Sequence, residues 1–102
     1  MKPNAIPASE LDSQLTFPST ILLDIREEFE YEDDHLEGLH IPMAEVRSRV
    51  TELEAYSHII ICCTSGKRAI AMNYSLSQML PAKRISYLEG GLEAYRKLQF
   101  NV

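Results

Sequence analysis

Residues 59–69 read IIICCTSGKRA, an apolar run that ends in two cysteines and continues into a short polar loop. The β-branched run at 58–62 predicts a strand that is buried on both faces, as in a parallel sheet. From Ala69 to about Leu80, apolar side chains recur at helical spacing, which predicts a helix that ends before Pro81. A strand, a short loop and a helix in this order are typical of an α/β unit.

The chain on either side of this unit has the same organisation. Strands are predicted at 20–25 and 84–88, with a short extended piece at 39–42. Strands that alternate with helices predict one α/β domain over residues 1–102, with a central, mainly parallel sheet flanked by helices in three layers. Helical segments are predicted at 9–15 with Ser9 as N-cap, at 27–34, at 44–56 and at 92–98.

Composition and charge narrow the function classes. The chain has 102 residues and a formal net charge of −5, and this acidic balance argues against nucleic acid or an anionic membrane as a partner. The acidic run at 27–34 is interpreted as a solvated surface. No apolar run approaches the roughly 20 residues of a membrane span, and the first residues lack the apolar segment of a signal peptide. A cytoplasmic location is therefore expected.

The two cysteines of the chain, Cys62 and Cys63, are adjacent. Neighbouring strand residues point to opposite faces, so this pair cannot cross-link distant parts of a fold. His35, His40 and His58 show no metal-ligand spacing, and two cysteines alone do not make a structural zinc site. The sequence therefore predicts neither a disulfide framework nor a metal or other cofactor.

Cys63 is the candidate nucleophile. It falls at the carboxyl end of a predicted parallel strand, where open α/β sheets bind ligands, and it precedes a helix whose free N–H groups point toward the loop. These donors and the helix dipole favour a thiolate, and the site is expected to stay open to a substrate. The alternative is a buried structural cysteine before an ordinary turn. Cys62 is expected to point away from this site, into the core.

The residues that follow Cys63 suit the binding of an anion. Three small residues let the backbone curl so that several N–H groups converge on one anion, and two cations add positive charge beside it. These residues are Thr64, Ser65 and Gly66, followed by Lys67 and Arg68.

This loop, a cysteine followed by four residues and an arginine, resembles the active-site loop of rhodanese domains. Other segments resemble the family's motifs in the same order along the chain. They are LDIRE at 23–27 with Glu30 and Tyr31, HLEG at 35–38 with Ile41 and Pro42, and the double-glycine segment LEGGLEAY at 88–95.

The resemblance implies a sulfurtransferase in which Cys63 takes a sulfane sulfur from a donor as a persulfide and passes it to a nucleophilic acceptor. Arg68 and Lys67 would attract an anionic donor such as thiosulfate, although Arg68 could equally pin the loop to an acidic side chain. Asp24 and Arg26 are expected to be structural, through pairing and hydrogen bonding. The implied partners are a small sulfur donor and a thiophilic acceptor, or a sulfur-relay protein.

Two other function classes stay open. One is a noncatalytic rhodanese-like interaction module, and the retention of Cys63, Gly66 and Arg68 argues against it. The other is a phosphatase or arsenate reductase of related loop design, for which the loop is short. The donor, the acceptor and the oligomeric state are not given by the sequence.

Overall fold

A computed structural model describes residues 4–100, and its core is one parallel β-sheet. Within these residues the strands are β1 (Ala5–Ile6), β2 (Thr20–Asp24), β3 (Leu39–His40), β4 (His58–Cys62) and β5 (Arg84–Leu88). The α-helices are α1 (Ala8–Gln14), α2 (Glu28–Asp33), α3 (Lys67–Met79) and α4 (Gly91–Phe100), and 3₁₀-helices occur at Met43–Glu45 and Arg47–Leu53.

The sheet has the strand order β1-β5-β4-β2-β3, and every pair of neighbouring strands is parallel. The α/β class and the parallel sheet flanked by helices are therefore confirmed. All five residues of β4 are buried, because this strand lies at the centre of the sheet with helices on both sides. Cys63 directly follows the carboxyl end of this strand.

Alternate residues of the central strands supply the two apolar layers. Ile59 and Ile61 belong to the core on the side of α3, whereas Ile60 belongs to the core on the side of α1 and α4. The adjacent cysteines follow the same alternation: Cys63 lies in the first core and Cys62 in the second. The two thiols therefore occupy different layers of the domain.

Two local predictions were wrong. Helix α1 begins after Pro7, whose φ of −62° and ψ of 147° make it the N-cap, so Ser9 lies inside the first turn. Proline suits a helix start because it lacks an N–H and has a fixed φ. The segment predicted as helical at 44–56 forms 3₁₀-helices interrupted at Arg49, where φ is −119°. Its buried anchors, Val46 and Leu53, hold it against the sheet without a regular α-helix.

Replacement of Cys62 by alanine should lower stability without removing the thiol of Cys63. Cys62 is 1% exposed, so the substitution leaves a small cavity in the layer that contains α1 and α4. We expect a loss of about 1–2 kcal/mol in the free energy of unfolding, measured by urea denaturation. A variant as stable as the wild type would contradict the close packing of this layer around Cys62.

Candidate active site

Cys63 lies between the end of β4 and the start of α3, and its sulfur is surrounded by backbone donors. The N–H of Gly66 donates to Sγ at 3.1 Å, and the N–H of Ala69 lies 3.4 Å from the same atom. Gly66 is the residue before α3 and Ala69 lies in its first turn, where N–H groups lack partners within the helix. The sulfur therefore accepts backbone N–H groups at the amino end of α3.

The side chain of Cys63 is more enclosed than the sequence predicts. Cys63 as a whole is only 1% exposed, whereas an open site was expected. The enclosure arises because the loop folds over its own sulfur: Gly66 adopts a left-handed φ of 99°, and this brings its N–H back toward Sγ. We call residues 63–68 the cysteine loop.

The amino end of α4 holds the outer side of the cysteine loop. The N–H of Leu92 donates to the carbonyl oxygen of Cys63 at 2.8 Å, and the N–H of Glu93 donates to that of Thr64 at 3.0 Å. In a planar trans peptide the C=O and N–H groups point in opposite directions, so the following N–H groups, of Thr64 and Ser65, are turned away from α4. This contact fixes the orientation of the loop's peptide groups.

Gly91 makes the close contact with the loop possible. A Cβ atom at this position would lie 2.4 Å from the oxygen of Thr64 and 2.5 Å from that of Cys63, and the φ of Gly91 is +64°. A side chain is excluded by both the space and the backbone conformation. The double-glycine segment that the sequence marks as a motif therefore supports the cysteine loop.

Arg68 points to α2. Its two terminal nitrogens donate to the two carboxylate oxygens of Glu30 at 2.8 and 2.9 Å, and Nη2 also lies 3.3 Å from the hydroxyl oxygen of Thr64. The hydroxyl of Thr64 donates to Glu30 at 3.3 Å. Hydrogen bonds from Arg68 hold the pKa of Glu30 at about 2, below its usual value of 4.5. Arg68 therefore pins the cysteine loop to an acidic side chain, which is one of the two roles that the sequence allows for it.

Glu30 is the site residue that sequence reasoning missed. The acidic run at 27–34 is interpreted as solvated surface, which is wrong for Glu30, because this partly buried carboxylate pairs with Arg68. Asp34 is exposed, as that interpretation predicts, and it pairs with Arg96 at 2.7 Å. Glu30 also accepts the backbone N–H of Glu27 at 2.9 Å and so completes a capping box at the start of α2. Its place in the segment that resembles a family motif was the available signal.

Asp24 and Arg26 form a buried ion pair beside the loop. Nη2 of Arg26 lies 2.9 Å from Oδ2 of Asp24, and both side chains are 4% exposed. The same nitrogen donates to the backbone carbonyl of Asp34 at 2.6 Å, so the pair ties the end of β2 to the end of α2. The carboxylate of Asp24 therefore neutralises the buried charge of Arg26.

A stack of three rings holds α2 from its other side. The ring of Tyr31 lies 3.8 Å from that of His35 and 4.2 Å from that of His40, with nearly parallel planes. Nε2 of His40 also lies 2.7 Å from the carbonyl oxygen of Arg26. These contacts fix the helix that carries Glu30.

The remaining loop residues face solvent. Ser65 and Lys67 are exposed, and Thr64 is partly exposed. Among residues 4–100, no carboxylate lies within ion-pair distance of Lys67. In the same range no group of three or more His, Cys, Asp or Glu side chains is arranged to hold a metal ion. Nor does any helix in the described part of the chain have the length and apolar character needed to cross a membrane.

The fold and the site together define an α/β domain with an amide-lined cysteine loop at the carboxyl edge of a parallel sheet. The Rhodanese-like domain family matches residues 7–98. The chain belongs to the rhodanese-like domain family, and this membership supports a function in sulfur chemistry.

Solved structures of other proteins have a similar fold. A rhodanese-related protein from Thermoplasma volcanium is 27% identical with a TM-score of 0.82, and the match covers 93% of this chain and 92% of that one. A thiosulfate sulfurtransferase from Pseudomonas aeruginosa has a TM-score of 0.84 over 94% of this chain and 18% of that one; at 20% identity it shows the fold alone.

A curated relative is similar over part of the chain. The Bacillus subtilis (strain 168) protein named "Putative sulfur carrier protein YrkF" is 47% identical over 49 residues, which are 47% of this chain and 26% of that protein. The chain therefore matches about a quarter of the length of YrkF.

Replacement of Gly91 by alanine should disturb the cysteine loop. The new Cβ would clash with the oxygens of Cys63 and Thr64, and the left-handed backbone would be strained. We expect a loss of about 2–3 kcal/mol in stability and an altered rate of Cys63 alkylation by iodoacetamide. Gly38→Ala is the matched control, because its Cβ would clash with the oxygen of Leu22, at 2.4 Å, away from the loop. Equal alkylation rates in the two variants would contradict a role for Gly91 in the site.

The stability of the domain should depend on the charge of Glu30. Because pairing lowers the pKa of Glu30 from 4.5 to about 2, the carboxylate stabilises the fold above pH 4.5, and this contribution is lost as the pH falls toward 2. Glu30→Gln should therefore lose less stability than the wild type between neutral pH and about pH 3, measured by urea unfolding. Glu32→Gln, on the exposed side of the same helix, should keep the wild-type slope.

Proposed function

We propose that the protein is a sulfurtransferase that carries a sulfane sulfur as a persulfide on Cys63. The observation that supports this most directly is the position of Sγ, which receives the N–H groups of Gly66 and Ala69 at the amino end of α3. A thiolate is the nucleophilic form of cysteine, and the mechanism uses these N–H groups as hydrogen-bond donors to sulfur that carries negative charge. Family membership supports the same class of chemistry.

The first half-reaction loads the cysteine. The thiolate of Cys63 attacks the outer sulfur of the donor, and a bond forms between Sγ and that sulfur. The bond that held the outer sulfur to the donor breaks, and its electron pair leaves with the donor, as sulfite when the donor is thiosulfate. The protein is left with a persulfide whose outer sulfur lies about 2 Å beyond Sγ. This extension carries the reactive atom outward from a cysteine that is itself enclosed.

The second half-reaction removes the outer sulfur from Cys63. A nucleophilic acceptor attacks the outer sulfur, the S–S bond breaks, and its electron pair returns to Sγ of Cys63. The N–H groups of the cysteine loop stabilise negative charge on sulfur in both half-reactions. The contact between α4 and the carbonyl oxygens of Cys63 and Thr64 keeps these groups oriented, so little reorganisation is needed between the two steps.

The donor is proposed to be thiosulfate or a persulfide, either of low molecular weight or on a protein. The name of the relative, "Putative sulfur carrier protein YrkF", supports a place in a sulfur relay. The proposed site consists of Cys63 as the nucleophile, Arg68 as the residue that fixes the loop, and the backbone of residues 64–67 as the persulfide-binding surface.

Incubation of the protein with thiosulfate should add one sulfur atom to its intact mass, and cyanide should then remove it as thiocyanate. Cys63→Ser should abolish both signals, because an alkoxide is unavailable at neutral pH and oxygen is far less polarizable than sulfur. Cys62→Ala should retain them, since burial raises the pKa of the Cys62 thiol to about 12. An adduct that persists in Cys63→Ser would assign the chemistry to another residue.

A further inference from the structure

The electrostatics of the cysteine loop depend on the ion pair between Arg68 and Glu30. Each terminal nitrogen of Arg68 donates to one carboxylate oxygen of Glu30, at 2.8 and 2.9 Å, and the side chains are 38% and 21% exposed. The pair is therefore close to solvent at the edge of the site, yet it contributes no net charge there. Lys67 is left as the cation of the loop without a carboxylate partner among the described residues.

Glu30 keeps its negative charge at any ordinary pH. The hydrogen bonds from Arg68 keep the pKa of Glu30 at about 2, and the hydroxyl of Thr64 adds a further donor. Since Thr64 is part of the cysteine loop, the negative charge of Glu30 lies next to the groups that must receive a donor. An approaching anion meets this carboxylate together with the guanidinium that it neutralises.

We propose that Glu30 is a specificity-determining residue that acts through Arg68, and that it disfavours dianionic thiosulfate relative to persulfide donors of lower charge. This inference rests on the proposed sulfurtransferase function. It names the substrate class of the site: a sulfane sulfur attached to an organic thiol, on a small molecule or on a protein.

The two classes of donor differ in the charge that the site must accept. Thiosulfate brings two negative charges, and sulfite carries the electron pair away when the S–S bond breaks. A persulfide, R–S–SH, transfers its outer sulfur with its proton to Sγ, and the electron pair leaves on the thiolate R–S⁻. A site with an unpaired arginine would attract the dianion more strongly than the singly charged or neutral donor. The pairing with Glu30 removes that advantage.

Glu30→Gln is a sharp test because it changes charge with little change in shape. Glutamine can still accept the N–H of Glu27 and complete the capping box, so α2 keeps its start. The measured quantity is the ratio of kcat/KM for thiosulfate to kcat/KM for cysteine persulfide, with cyanide as the common acceptor. We expect this ratio to rise about tenfold in Glu30→Gln, mainly through a lower KM for thiosulfate, and to become more sensitive to salt.

Glu32→Gln controls for the change in net charge. It removes the same charge from the same helix at an exposed position, so its ratio should stay within about twofold of the wild type. A ratio that is unchanged in Glu30→Gln, or a shift of equal size in Glu32→Gln, would overturn the inference.

Two variants of Arg68 give an independent measurement. In Arg68→Gln the carboxylate of Glu30 is left without its partner, so the ratio should fall below that of the wild type. The double variant Glu30→Gln/Arg68→Gln has the same net charge as the wild type, and its ratio should return to within about twofold of it. A ratio that does not fall in Arg68→Gln would overturn the inference even if Glu30→Gln were too unstable to assay.

The outcomes also separate this inference from the function on which it rests. If the wild type gains no sulfur from either donor, the proposed sulfurtransferase function fails. If it gains sulfur on Cys63 but the ratio is the same in every variant, only the assignment of Glu30 fails. If Glu30→Gln lowers kcat/KM for both donors equally, Glu30 has only a structural role.

Discussion

The docking of α4 onto the cysteine loop is the interaction on which the rest of the site depends. The N–H groups of Leu92 and Glu93 hold the carbonyl oxygens of Cys63 and Thr64, and this turns the loop's own N–H groups to the other side. The contact brings two backbone segments within a distance that only glycine permits at position 91. The contact thereby fixes the backbone of a short loop of flexible composition through main-chain groups alone.

The opposite side of the loop is fixed by charge. Arg68 reaches from α3 to Glu30 on α2, and the buried pair of Asp24 and Arg26 connects the end of β2 to the end of that helix. The cysteine loop is thus held between an all-backbone contact with α4 and an ion-pair contact with α2. The first contact determines the direction of the amides, and the second determines which charges an incoming molecule meets.

The central part of the fold could be predicted because strong local signals and tertiary packing agree there. The runs at 58–62 and 84–88 match β4 and β5, since residues 59–62 and 85–88 are all buried and most of them are apolar. The segment at 44–56 was harder, because its apolar spacing fits a helix but two anchors, Val46 and Leu53, suffice to hold shorter 3₁₀ turns. For Glu30, composition alone was misleading: an acidic run is usually solvated, and its partner Arg68 lies 38 positions away in the sequence. The enclosure of Cys63 likewise results from the left-handed turn at Gly66, which local propensity does not specify.

The separation of the two adjacent thiols has a consequence for how the protein is returned to its starting state. Cys62 lies in the layer of α1 and α4, with the pKa of its thiol raised by burial to about 12, and Cys63 lies in the layer of α3. The neighbouring sulfur therefore cannot act as an internal resolving thiol without disrupting the central strand. Among residues 4–100, no other thiol is placed to form a disulfide with a persulfide or a sulfenic acid formed on Cys63, so the lifetime of either species would be set by encounters with external thiols. Under the proposed function, such a site would store sulfur between encounters, and its recovery after oxidation would depend on the reducing capacity of its surroundings.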